Sequence, residues 1–204
     1  MFKPARFAVA AAILIAACTH TAPPPPPDLT SDAADPALSA ELVAMLKEDQ
    51  EVRQRWIKDQ KNEALREEMR ALSKKHVERF GEIVAAHGWP GKSKAGMNGA
   101  SAAWTIAQHG GPEFLGKMLP LMYDAVIKRE LDESLYGTSL DRVLMQRGKK
   151  QMYGTQFDVD PATGKCEPMP IEDAEHVEER RAKAGMTSLA EYTKELCAMY
   201  LQKK

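Results

Sequence analysis

Apolar side chains recur every three or four residues along most of the chain after residue 37, and this repeat constrains the fold more than any other feature. Such spacing places apolar residues on one face of an α-helix. In the segment 37–61 the repeat consists of Leu38, Leu42, Met45, Leu46, Val52 and Trp56. We therefore predict a mainly α fold, a single-domain helical bundle of about six or seven helices.

Glycine and proline mark the ends of the later helices. The predicted helices after the first are 63–86, 99–109, 113–129, 138–147, 173–184 and one that begins at 189. Glycine supplies C-terminal caps at Gly88 and Gly185, and Gly110–Pro112 breaks the chain between two helices. Ser188 and Glu191 form a capping-box pattern before the last helix.

A β-hairpin is predicted within the helical sequence. Residues 153–159 alternate in polarity and are rich in β-formers, and residues 160–164 have turn chemistry. Residues 165–171 could return as a second strand, although two prolines confine it to a sheet edge. Cys166 and Cys197 either form a disulfide between this hairpin and the last helix or remain two thiols.

The N-terminus has the organisation of an exported lipoprotein. Lys3 and Arg6 precede an apolar stretch, Phe7 to Ala17, that is too short to cross a bilayer. The sequence Ile15-Ala16-Ala17-Cys18 resembles the bacterial lipobox, in which the cysteine thiol accepts diacylglycerol; the alternative is an ordinary secretory signal. We expect residues 1–17 to be a signal peptide and Cys18 to carry the lipid. By resemblance to Gram-negative lipoproteins, Thr19 favours the outer membrane, with the protein facing the periplasm.

A linker separates this cysteine from the domain. Residues 18–36 contain an uninterrupted proline run, Pro23–Pro27, which favours an extended polyproline II spacer. We predict that the folded domain occupies residues 37–204. No apolar run of about 18 residues follows Cys18, so we expect no later membrane span.

Charge and motif content exclude several classes of function. Two of the 28 basic side chains lie in residues 1–17, which leaves 26 against 29 acidic ones and makes nucleic acid an unlikely partner. The five histidines show no metal-ligand spacing, and there is no nucleophile elbow or phosphate-binding glycine motif. We therefore expect neither a metal nor a cofactor.

A series of short motifs resembles a bacterial family known as the domain of unknown function 6624. The motifs are Asp49-Gln50 with Arg53, Gly88-Trp89-Pro90, Gln108-His109, Asp141-Arg142, Gln151 with Tyr153-Gly154-Thr155-Gln156, Ile171-Glu172-Asp173, Arg180-Arg181 and Gly185. The resemblance covers residues 40–195. It implies the extent of the domain and no activity.

The motifs concentrate side chains that are costly to bury without partners. Asp49 falls on the apolar stripe of the first helix, so it must be paired, with Arg53, Arg142 or Arg181, or belong to a site. His109 closes a helix, where a charged imidazole gains from the helix dipole, and this is its structural interpretation. In the functional interpretation His109 is a general acid or base that Asp141 or Asp49 orients.

Three functions remain open. The first is a lipid-anchored envelope protein that binds a polar ligand or an envelope protein partner. The second is a hydrolase or transferase that acts on envelope material through His109 and a carboxylate. The third is a purely structural polar network. The candidate catalytic residues are His109, Asp141 and Asp49, and the candidate ligand-binding residues are Arg53, Trp89, Gln108, Arg142, Gln151, Tyr153, Gln156 and Arg181.

Overall fold

A computed structural model describes residues 33–201 of the chain. The predicted signal peptide, Cys18 and the proline run lie outside the described residues. The described chain groups into two compact units, residues 33–139 and 140–201. None of its helices is long and apolar enough to cross a membrane.

Seven α-helices and one two-stranded antiparallel hairpin make up the described chain, which confirms the mainly α prediction. The helices are α1 Pro36–Lys58, α2 Glu63–His87, α3 Lys92–His109, α4 Pro112–Ile127, α5 Glu133–Gln146, α6 Val177–Lys183 and α7 Leu189–Leu201. The strands are β1 Phe157–Asp160 and β2 Lys165–Pro168, with Val159 opposite Cys166. A short 3-10 turn, Ala174–His176, precedes α6.

Two helices begin earlier than the sequence predicts. α3 starts at Lys92 instead of residue 99, and in its first turn the Glu130 carboxylate accepts a hydrogen bond from the Ser93 backbone N–H at 2.8 Å. The helix contains a break at Gly96, whose φ of 65° is a conformation that glycine adopts without strain. α5 starts at Glu133 instead of residue 138. The break at Gly96 separates residues 92–95 from the part of α3 that the sequence predicts.

Side-chain caps fix the helix ends that the sequence does predict. Asp35 accepts a hydrogen bond from the backbone N–H of Leu38 at 3.0 Å, and Asn62 accepts one at the start of α2 at 3.2 Å. Ser188 and Glu191 bond each other's backbone N–H groups, which confirms the capping box before α7. Just before α1, Ala34 and Asp35 donate their backbone N–H groups to the carbonyls of Ser93 and Lys94.

In the unit 33–139, α1 packs chiefly against α3. The alanine-rich face of α3 permits a close approach at Gly99, where an added Cβ would lie 2.9 Å from Ser39 Oγ and 3.2 Å from Ser39 Cα. An alanine there would come within 3.0 Å of the Ala95 and Ser39 side chains, so these atoms would have to shift. Leu42, Phe80, Ile83, Ile106, Leu115 and Met122 form the buried centre of this unit.

The unit 140–201 has a smaller apolar core. Val143, Phe157, Val177 and Leu196 are buried in it. α7 contacts both β2 and α6. The disulfide between Cys166 of β2 and Cys197 of α7, whose Cα atoms are 5.7 Å apart, joins the hairpin to the last helix.

Candidate functional site

Asp49 is buried in the middle of α1, as its helical phase predicts. It follows Met45 by one turn and precedes Val52, and all three residues face the core. Only 3 % of its side chain is exposed. A carboxylate buried to this extent is stable only if hydrogen bonds and opposite charges replace its water.

The His109 imidazole is one of these partners. Its Nδ1 atom lies 2.6 Å from Asp49 Oδ2, and 5 % of the side chain is exposed. His109 ends α3 directly before the break at Gly110 and Gly111. An Nδ1–H that donates to a carboxylate fixes the tautomer and orientation of the ring, with Nε2 on its opposite side.

Arg53 is the second charged partner of Asp49. One turn along α1, its Nε lies 2.9 Å from each carboxylate oxygen. The amide of Gln50 also donates to Oδ2 at 3.1 Å. Of the three arginines that the sequence offers as partners for Asp49, Arg53 fills the role from within the same helix.

Burial and charge act in opposite directions on the Asp49 carboxyl. Desolvation alone would raise its pKa, but the hydrogen bond and charge of His109, together with those of Arg53, outweigh this effect and lower the pKa. Asp49 is therefore ionised at neutral pH. The cluster is a carboxylate held between an imidazole and a guanidinium.

Asp141 has a different set of partners, in the unit 140–201. Its carboxylate accepts hydrogen bonds from the backbone N–H groups of Met152 at 2.6 Å, Tyr153 at 3.1 Å and Thr155 at 3.0 Å. The Thr155 hydroxyl donates a further bond at 2.9 Å. Burial raises the pKa of Asp141 and these hydrogen bonds oppose the shift. Asp141 thus holds the loop 152–155 in place.

Gln151 and Gln156 continue this loop network. The Gln151 amide accepts from the backbone N–H of Gln156 at 2.8 Å and donates to the carbonyls of Gln156 and Met169 at 2.9 and 2.8 Å. The Gln156 amide donates to the Thr155 hydroxyl at 3.0 Å. The Gln151 side chain therefore bonds the backbone of Gln156, which a neighbouring strand would otherwise bond. The strand predicted over 153–159 accordingly begins only at Phe157.

Arg181 is buried beside this loop. It donates to the backbone carbonyls of Tyr153 at 2.6 Å and Thr187 at 2.8 Å. Its guanidinium lies 5.0 Å from the centroid of the Tyr192 ring, a cation–π contact. Through these two neutral carbonyls, Arg181 connects the loop to the segment between α6 and α7. Arg142, another candidate, is buried in α5 of the same unit.

Trp89 and Gln108, also proposed as ligand-binding residues, lie in the unit 33–139. The Trp89 ring packs edge-on against Phe80 with centroids 5.9 Å apart. Its indole N–H is buried and has no hydrogen-bond partner among the described residues. The Gln108 amide donates to the Ser139 hydroxyl, to which Trp104 also donates at 3.1 Å. The part of the chain described holds no group of three or more metal-binding side chains.

Some site residues were not found by sequence reasoning. Ser73 and Met69 of α2 contact the Arg53 guanidinium, with Nη2–Oγ and Nη1–Sδ distances of 3.5 and 3.8 Å. The two residues are four positions apart on the half-buried face of α2, and this spacing was the signal that could have identified them as neighbours of α1. Ser139 and Tyr192 carried no such signal, since only the fold places them beside Gln108 and Arg181.

Comparison with known proteins finds one family. Residues 36–204 match the model described as "Family of unknown function (DUF6624)". No curated protein and no solved structure matches the chain. The match covers every element from α1 to α7.

Proposed function

The chain belongs to the DUF6624 family, whose description assigns no activity. From the residues of this chain, we propose that the protein is an envelope lipoprotein whose domain binds a polar molecule. The observation that carries the binding proposal is the 2.6 Å contact between Asp49 and His109, with Arg53 on the same carboxylate. Burying three ionisable groups costs free energy that burying apolar side chains would not. We infer that the cluster has a function other than stabilising the fold.

Anchoring is the first part of the proposal, and the lipobox sequence Ile15–Cys18 supports it. Lipid chains on Cys18 would hold the protein at the outer membrane, with its domain in the periplasm.

We predict that mass spectrometry of the protein purified from bacterial membranes finds a chain that begins at a diacylated Cys18. The C18S variant should lack the lipid mass and should not be cleaved before residue 18. A wild-type chain with an unprocessed N-terminus and a free Cys18 thiol would contradict the anchor.

Binding at the Asp49–His109 pair is the second part. The imidazole can donate or accept a proton, and the carboxylate beside it stabilises the charged form. A polar ligand with hydroxyl, amide or phosphate groups offers complementary hydrogen bonds. The position of His109 at the end of α3, next to two glycines, places the pair where the chain turns.

The same contact favours a hydrolase or transferase as the second candidate. A carboxylate that orients an imidazole through Nδ1 is the arrangement of a general acid–base catalyst. Such a residue contributes about 10²- to 10⁴-fold to a rate.

Replacing His109 tests both candidates. We expect H109Q to abolish the NMR shifts that soluble peptidoglycan fragments and glycerophosphates induce in the wild-type chain. In the enzyme case it should also lower product release from purified envelope material by at least about 100-fold. The matched control is H87Q, because His87 ends α2 in an exposed position.

A purely structural cluster would give another result. H109A and Q156A would then each lower the melting temperature by several degrees, since a lost buried partner costs about 1–3 kcal/mol. No probe would shift the wild-type spectrum. That combination would reject both ligand binding and catalysis.

A further inference from the structure

We propose that Arg53 is a positioning residue, which holds the Asp49 carboxylate in the orientation that meets His109 and shares its negative charge. The inference rests on the proposed function of the Asp49–His109 pair. It gives Arg53 a role in addition to the ligand-binding role that the sequence suggests.

The geometry of Arg53 leaves little freedom to the carboxylate. Nε lies 2.9 Å from both Oδ1 and Oδ2, so a single N–H is shared between the two carboxylate oxygens. His109 takes Oδ2 at 2.6 Å. Rotation of the carboxylate about its Cβ–Cγ bond would weaken at least one of these contacts.

α2 holds the other end of the guanidinium. Nη2 lies 3.5 Å from the Ser73 hydroxyl and Nη1 lies 3.8 Å from the Met69 sulfur. Both partners are neutral, so they place the guanidinium without competing with Asp49 for its charge. Only 14 % of the Arg53 side chain is exposed. The spacing of α1 and α2 therefore fixes the position of Arg53, and through Arg53 that of Asp49.

Other ion contacts also join these two helices, among them the pair of Arg55 and Glu68. Glu48 of α1 contacts the His76 imidazole at 3.3 Å and Lys75 at 3.7 Å, both on α2. Asp49 is the one described acidic side chain within ion-pair distance of Arg53. One carboxylate thus serves both Arg53 and His109, and removing Arg53 leaves its full charge to His109. Proton binding to His109 must then become more favourable.

The test is an NMR titration of the His109 imidazole in the chain from residue 19 onwards, which keeps every described residue. We expect R53M to raise the apparent pKa of His109 by about one unit, a tenfold gain in proton affinity. R53K, which keeps the charge but not the planar Nε–H, should raise it less. The control R70M removes an exposed arginine paired with Glu67 at 2.5 Å, and should leave the titration unchanged.

Two results would overturn the proposal. One is a His109 titration in R53M that coincides with that of R70M. The second result comes from the variant S73A, which serves if R53M does not fold. S73A keeps Arg53 and should accelerate the exchange of the Arg53 Nε–H with water several-fold. Exchange and titration both identical to the wild type in S73A would show that α2 does not position Arg53.

This titration separates the inference from the proposed function. A shifted pKa in R53M together with no bound probe would uphold the role of Arg53 and reject the ligand. An unshifted pKa with a bound probe would reject the role of Arg53 and uphold ligand binding.

Discussion

Replacing Asp141 by alanine should lower the free energy of unfolding by about 4 kcal/mol, because one buried and two half-buried backbone N–H groups and one buried hydroxyl lose their acceptor together. For a chain of this size, such a loss corresponds to roughly 8–16 °C in melting temperature. D141N should be almost as unstable, because its amide presents a donor to N–H groups that need an acceptor. Urea unfolding followed by circular dichroism measures both.

The matched control is Asp158 in the same unit. Its carboxylate is half exposed and pairs with Lys165 at 2.8 Å, so D158A should cost less than about 1 kcal/mol. Amide exchange adds a local measurement: the N–H groups of Met152, Tyr153 and Thr155 should exchange faster in D141A than in D158A. Equal stability and equal exchange in the two variants would contradict the role of Asp141 as the acceptor for this loop.

Breaking the bond between Cys166 and Cys197 should be almost as costly. The two residues are 31 positions apart, and in the chain-entropy model a loop of that length contributes about 3–4 kcal/mol. The double variant C166S/C197S should lose that amount of unfolding free energy. The measurement is again urea unfolding, here with and without a reducing agent.

The double variant provides its own control, because a reducing agent should destabilise the wild-type chain and leave C166S/C197S unchanged. Thiol labelling of the denatured, unreduced chain should find neither Cys166 nor Cys197 reactive. Labelling of both residues would mean that the disulfide does not form in the protein.

Helical phase and chain order were sufficient to predict much of this molecule. The apolar stripe of α1 predicted that Asp49 is buried and either paired or part of a site, and the i, i+4 spacing placed Arg53 among its three candidate partners. The breaks at Gly88 and Gly110 separated α2, α3 and α4. These features depend on residues within a turn or two of one another, where the sequence determines the geometry.

Contacts between distant segments were not predictable in this way. The sequence offered Asp49 or Asp141 as the partner of His109, and 60 residues separate His109 from Asp49. Asp141 instead accepts hydrogen bonds from the backbone N–H groups of a loop 11 to 14 residues away. A single sequence carries no signal for such contacts. The same holds for the first turn of α3, where the Ser93 N–H bonds the Glu130 carboxylate. Local propensity does not include such partners.

The attachment of the first described residues to α3 has a mechanical consequence for the lipid anchor that we propose at Cys18. Tension along the linker would first load the two hydrogen bonds that Ala34 and Asp35 donate to Ser93 and Lys94, at 3.0 and 2.9 Å. These bonds, together with the Asp35 cap, would yield before Leu38 or Leu42 left the core. Under load the chain would thus gain a few residues of slack while its helices stayed folded.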